Sequence, residues 1–178
     1  QYLLETGEAA VEHLILPAPG RGQDVYEELS DLVKENGGQV YWMARGDQIR
    51  IRSAGQNKDV NITCLSPDKA MKTEDPNQHS LVLKMDYDDF HMLLTGDMTE
   101  ANEREILDVY GHTGLTEVQV LKVAHHGSDT SSSEVWIQEI HPRWAILSYG
   151  DGNRYGHPKA SVVERLRSHQ ARIYETAK

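Results

Sequence analysis

Three short apolar runs constrain this chain most: Met92-Leu93-Leu94, Val120-Leu121 with Val123-Ala124, and Trp144-Ala145-Ile146-Leu147. Each runs directly into a polar loop, reading "TGD", "HHGSD" and "SYGDGNRYGHP" in turn. Short apolar runs closed by glycine and polar residues read as buried strands. Helical patterns lie between them, at Thr99 to Tyr110 and in "SSSEVWIQEI", and "KASVVERLRSH" follows the last. Strands alternating with helices make an α/β layered fold, and such folds present their chemistry where strands end.

The first half is mixed and richer in strands. "HLILP", "QVYWMA", "GDQIRIRS" and "DVNITCLSP" read as strands, and "ARIYE" as a last one near the C-terminus. "VYEELSDLVKEN" places Val25, Leu29, Leu32 and Val33 at helical spacing and stops at Asn36-Gly37-Gly38. Ser80 to Thr95 reads as a hairpin turning at Tyr87-Asp88-Asp89, with the acidic "DYDDF" as a solvated turn. Thr99 is positioned to cap the next helix, with Asn102 or Glu103 near its third residue. Residues Tyr2 to Glu8 read as the end of a helix. The length of 178 residues fits one domain, 1–178.

Three loops thus gather side chains able to hold a metal. Asp97 ends the first, His125 and His126 open the second with Asp129 behind them, and His157 closes the third. One carboxylate and imidazoles suit a divalent ion such as zinc or manganese. Taken singly, each signal is common: a "TGD" turn, or a His before Pro as at His157. His141-Pro142 has the same form and is assigned only a helix-ending role. It is the three loops together, each after an apolar run, that point to a site.

Other features are weaker or exclude functions. Gly150, Gly152 and Gly156 are one residue too far apart for a dinucleotide loop, and no G-x-S-x-G elbow accompanies the serines. Ser131 to Ser133 read as the start of a helix. The single cysteine, Cys64, excludes an internal disulfide and reads as a small buried residue. His13, His79, His91, His112 and His169 have no evident partners, although His79 precedes a strand and could face the same edge. A net charge of −10 argues against a passive nucleic-acid binder, but not against an enzyme whose metal meets the phosphate. No apolar run approaches the roughly 20 residues of a membrane span, and nothing calls for an obligate protein partner.

"LLTGD", "VLKVAHHGSDTSS" and "IHPRWAILSYGDGNRYGHP", with "NQHSLVLKM" ahead of them, resemble the metallo-β-lactamase-fold domain of the ComEC competence proteins, membrane proteins that import DNA. The resemblance implies a four-layer αββα sandwich, incomplete at the N-terminus in this chain. It implies a metal-dependent hydrolase of nucleic-acid phosphodiesters, with two divalent ions, zinc or manganese, in the intact domain. Asp97 would be the bridging carboxylate, and one histidine of the 125–126 pair with His157 would complete the ion spheres. Ser128 or Asp129 would orient a ligating imidazole. Ser128, Asn153, Arg154 and Lys159 are the candidates to face a phosphodiester substrate, DNA or another. The parent would be membrane-embedded, with this domain on the extracytoplasmic side. The family's H-x-H-x-D-H motif is nowhere in the chain, so metal binding by these residues alone is expected to be weak. The alternatives are a phosphodiesterase for a small or phosphocholine-type substrate, and a degenerate binding domain.

Overall fold

The computed structural model describes residue 6 and residues 10–52, 58–115 and 118–177. The helix end expected from Tyr2 to Glu8 lies outside the described residues apart from Thr6. The described residues form a mixed α/β fold of two sheets and four helices, with short 3-10 turns between them.

The smaller sheet pairs β1 (His13–Pro17) with β2 (Gln39–Met43) in parallel. Helix α1 (Asp24–Glu35) crosses between them and packs on both. The larger sheet has seven strands in simple order: β3 (Gln48–Ile51), β4 (Val60–Ser66), β5 (Val82–Tyr87), β6 (Phe90–Leu94), β7 (Val120–Lys122), β8 (Trp144–Leu147) and β9 (Arg172–Glu175). Strands β3 to β6 pair antiparallel, and β6 to β9 parallel. Antiparallel neighbours can be joined by a tight turn, whereas parallel ones require a crossover. Helices α2 (Glu100–Gly114), α3 (Glu134–Ile140) and α4 (Ala160–Ser168) supply the crossovers.

Strand register explains where the core sits. Leu93, Leu121 and Ala145 lie side by side on β6, β7 and β8, and all are fully buried. They pack with Met98, Ile106, Trp136, Ile137, Ile140, Val162 and Leu166 from the helices and their entries. The next row, Met92, Val120 and Trp144, faces the other way and is only half-buried. A cavity of about 730 Å³ separates β1 and β2 from β3 and β4, lined by Ile15, Trp42, Ile49 and Ile62 among others. From one side to the other the layers therefore run α1, small sheet, large sheet, then α2 to α4.

Local signals acted as expected at the helix ends. Thr99 and Asn102 form a reciprocal capping box at α2. Regular helix runs to Tyr110, and Gly111 (φ 53°, ψ −162°) breaks it there. Ser133 caps α3 through the Trp136 amide. His141 ends α3 in a left-handed conformation, the bland role assigned to it. Cys64 is buried and its thiol is pushed up to about 12 by desolvation.

Three expectations change. His91 has a partner after all: its Nδ1 lies 2.6 Å from the Asp86 carboxylate, which Lys84 approaches at 2.9 Å. The acidic "DYDDF" is thus only partly a solvated turn, because Asp86 belongs to β5 and directly faces His91 across the hairpin. His169 is likewise paired, 2.6 Å from Glu134. Both pairings join residues distant in sequence or across a turn, which no local spacing announces.

Candidate metal centre

Strands β6, β7 and β8 are parallel, so their C-terminal ends lie on one edge of the sheet. The "TGD", "HHGSD" and "SYGDGNRYGHP" loops all leave from that edge. The edge is tied together by the backbone. The His125 amide donates to the Gly96 carbonyl at 3.1 Å, and the Lys159 amide to the Gly127 carbonyl at 2.8 Å.

Two glycines permit this crowding. Gly96 (φ +53°) would carry a Cβ only 2.8 Å from that of Ser80, whose hydroxyl accepts from the Asp97 amide at 3.0 Å. Gly127 (φ +84°) would place a Cβ 2.6 Å from that of Pro158, next to His157. His125 and His126 are themselves left-handed, with φ of 45° and 56°. Non-glycine residues adopt that region rarely and at a cost, histidine more readily than most.

Of the side chains expected to converge, Asp97 meets His126, and the three imidazoles neighbour one another in turn. His126 Nε2 lies 3.4 Å from Asp97 Oδ1. The His125 ring is 5.6 Å from that of His157 and 6.4 Å from that of His126, centre to centre. Two ligands about 2.1 Å from one ion and a tetrahedral angle apart would lie about 3.4 Å from each other. The Asp97–His126 spacing matches that separation.

His126 is also held from behind. Its Nδ1 is 2.6 Å from the Ser148 carbonyl. A carbonyl only accepts, so Nδ1 carries the proton. Nε2 is then either protonated too, or turns a lone pair toward a carboxylate, an arrangement that a shared cation stabilises. Ligating histidines characteristically donate their other ring N–H to a carbonyl or carboxylate. His125 Nδ1 is 3.3 Å from the Thr130 hydroxyl, which in turn meets the Ser128 hydroxyl at 3.0 Å. His157 Nδ1 is buried and has no hydrogen-bond partner among the described residues. Its pKa is lowered, first by desolvation and then by the neighbouring His125, Lys159 and His126. In donor chemistry, a carboxylate with three imidazoles suits a divalent ion, and the Asp97–His126 pair has the spacing of two ligands. Among the described residues, no three His, Cys, Asp or Glu side chains are grouped closely enough to hold a metal ion.

The remaining candidates fall around this group. The Asn153 side chain donates to the His157 carbonyl (2.7 Å) and the Gly150 carbonyl (3.1 Å) and accepts from the His157 amide (3.0 Å), so it braces the His157 loop. Arg154 is exposed, lies over the Tyr155 ring at 5.1 Å, and donates to its hydroxyl at 3.0 Å. Tyr155 stacks on His157, with rings 6.0 Å apart and 12° from parallel. Lys159 Nζ donates to the Tyr155 carbonyl at 3.1 Å. Ser128 is buried and touches Thr130, while Asp129 is exposed, so the contacts to the imidazoles come from Thr130 and Ser148 instead. His79 is buried in the 3-10 turn before Ser80, and it is Ser80 that reaches Asp97.

Sequence reasoning passed over Lys122, Thr130, Ser148 and Ser80. Lys122 alone gave a signal, as a charge inside an apolar strand. Its Nζ donates to the Gly96 carbonyl at 2.8 Å and stands 3.8 Å from Asp97 Oδ1.

The chain is similar in sequence to curated competence proteins. Over 166 residues, 93% of the chain, it is 34% identical to ComE operon protein 3 of Bacillus subtilis. Over 66% of the chain it is 37% identical to Competence protein ComA of Neisseria gonorrhoeae and 38% identical to Recombination protein 2 of Haemophilus influenzae. The chain is homologous to the ComEC family of competence proteins. It spans 20%, 16% and 14% of the lengths of these three ComEC relatives. No family model matches the chain. A solved chain named "Putative metal-dependent hydrolase", from Parabacteroides distasonis, overlaps 82% of this one and 60% of its own length, at a TM-score of 0.45 and 9% identity. Among the described residues of this ComEC homologue, no helix is long and apolar enough to cross a membrane.

Proposed function

We propose that the chain is part of a metal-dependent hydrolase domain of the metallo-β-lactamase type, and that the intact domain, not this chain alone, cleaves phosphodiester bonds of DNA during competence-linked uptake. The observation that supports this best is the Asp97–His126 pair, 3.4 Å apart, with His126 oriented by the Ser148 carbonyl. Homology to competence proteins supports the setting. In this reading the parent is embedded in a membrane and presents the domain on the extracytoplasmic side.

Asp97 and His126 would hold a zinc or manganese ion, with His125 and His157 beside them. When bound, the ion acts as a Lewis acid that lowers the pKa of water and polarises a phosphoryl oxygen. The chain contributes orientation and charge. Ser148 keeps the proton of His126 on Nδ1, and Thr130 steadies His125. Asn153 fixes the loop that presents His157. Arg154 and Lys159 meet the substrate's phosphates from the rim, and Ser128 acts through Thr130.

The net charge of −10 favours a second reading, in which the substrate is a small or phosphocholine-type diester. The test is hydrolysis of DNA and of such diesters with added manganese or zinc. It is run on the chain and on the chain extended upstream by the H-x-H-x-D-H segment that the resemblance implies. DNA cleavage by the extended protein, lost in Asp97→Ala and kept in His141→Ala, is expected. Cleavage of the small diesters alone moves the function to the second reading. Full activity in Asp97→Ala rules out the metal role of this cluster.

A further inference from the structure

Tyr155 is a large aromatic ring left 62% exposed at the edge of the histidine cluster. Exposed apolar surface is common on proteins, but this ring is held in place. Its hydroxyl accepts from Arg154 at 3.0 Å, its carbonyl accepts from Lys159 Nζ at 3.1 Å, and the ring lies 12° from parallel to that of His157. It borders a hollow of about 350 Å³ whose other walls include Tyr149, Asn153, His126 and His157. That volume is at the lower end of the range for small-ligand pockets. Tyr149 is anchored in turn through its hydroxyl, which donates to Glu175 at 2.9 Å.

We propose that this hollow seats one unpaired nucleobase, stacked on Tyr155, so that the site takes single-stranded rather than duplex nucleic acid. The proposal rests on reading the chain as part of a DNA-cleaving domain. Every base has a flat π-face, so stacking on an aromatic ring needs no particular sequence. A base inside a duplex is already stacked and paired, and only an unpaired or extruded one can lie against a protein ring. The polar wall fits a site that does not read sequence. Both amide protons of Asn153 go to the Gly150 and His157 carbonyls, which leaves that side chain no donor for a base edge. His126 and His157 bound the same hollow, so a base seated there sets the phosphodiester of its own nucleotide beside the cluster. Local charge separates this ligand from a choline headgroup. A quaternary ammonium also favours aromatic walls. Here the Arg154 guanidinium already lies over the Tyr155 ring, 5.1 Å from its centre, where it repels a cation and attracts a phosphate.

The test is equilibrium binding of short fluorescein-labelled oligonucleotides to the 178-residue chain, without added metal, read by anisotropy. One strand is oligothymidine, and a second is abasic with the same length and charge. Wild type is compared with Tyr155→Ala, which removes the ring, and Tyr155→Phe, which keeps it. In the wild type and in Tyr155→Phe the thymidine strand should bind about fivefold tighter than the abasic one, or more. In Tyr155→Ala the two strands should bind alike, while binding of a duplex changes by less than about twofold. Equal affinity for the two strands in the wild type overturns the proposal and leaves the DNA reading standing. A duplex that loses as much affinity as the single strand in Tyr155→Ala also overturns it, as does displacement of the thymidine strand by phosphocholine at lower concentration than by thymidine monophosphate. Binding of none of the strands removes the DNA reading itself, and the proposal falls with it.

Discussion

His126 is fixed by a carbonyl behind it and a carboxylate in front, and most of the site's chemistry follows from that. The Ser148 carbonyl accepts the hydrogen bond from Nδ1, and Asp97 stands 3.4 Å from the other nitrogen. Asp97→Asn keeps the shape and removes the charge. Loss of carboxylate charge should weaken manganese or zinc binding by at least tenfold while the melting temperature changes little, which calorimetry and a thermal melt would show together. His157 makes a prediction about pH. Its folded pKa is lowered, so between that value and the ordinary value near 6.5 the unfolded chain binds more protons than the folded one. Stability then rises with pH through that window and is lost on acidification below about 6.5. His157→Gln should flatten this part of the stability profile, measured by denaturant melts from pH 5 to 7.5. An unchanged slope would mean that His157 is not held in its neutral form.

At the scale of elements, the helices and most strands were legible, because short apolar runs and cap residues are local signals. Thr99 with Asn102, and Ser133 before α3, were readable for the same reason. The edge that gathers Asp97, His125, His126 and His157 was readable too, since each residue follows an apolar run. What was not readable is who supports whom. Thr130 meets His125 only because the loop folds back, and Ser148 meets His126 from another strand. Glu103 is the clearest case. This buried carboxylate of α2 accepts the amides of Ser132 and Ser133 and so holds the start of α3 beneath the histidine loop. Desolvation raises its pKa, against the pull of those amides. Glu103→Ala should destabilise the protein by about 2–3 kcal/mol, since it strands buried donors. Urea melts would measure the loss, and a change under 0.5 kcal/mol would contradict this role. Gly127→Ala should also be costly, by about 1–2 kcal/mol for the left-handed backbone alone, with more from the Pro158 contact. It should shift the His126 and His157 ring signals together.

For the whole molecule, the large sheet buries one face under three helices and leaves the other half-covered. Met92, Leu94, Val120, Trp144 and Ile146 lie on that second face, and a hollow of about 310 Å³ runs beside Val120, Trp144 and Tyr174. Parallel strands are ordinarily buried on both faces. The sequence foretold the strands but not this asymmetry, because burial on a second face depends on what packs there. Among the described residues, the candidate ligands at the sheet edge come only from the loops after β6, β7 and β8. Calorimetry on the 178-residue chain should therefore show weak binding of manganese or zinc, and tight uptake of two ions would contradict that.

The central claim, that Asp97 and His126 share a divalent ion, is tested most directly by the ring nitrogens themselves. Nitrogen NMR of the histidines at neutral pH should show His126 with its proton on Nδ1. Addition of millimolar zinc should then move the His126 Nε2 signal, with smaller changes at His125 and His157, and Asp97→Ala should abolish the response. A proton on Nε2 of His126, or a zinc response that persists without Asp97, would contradict the account.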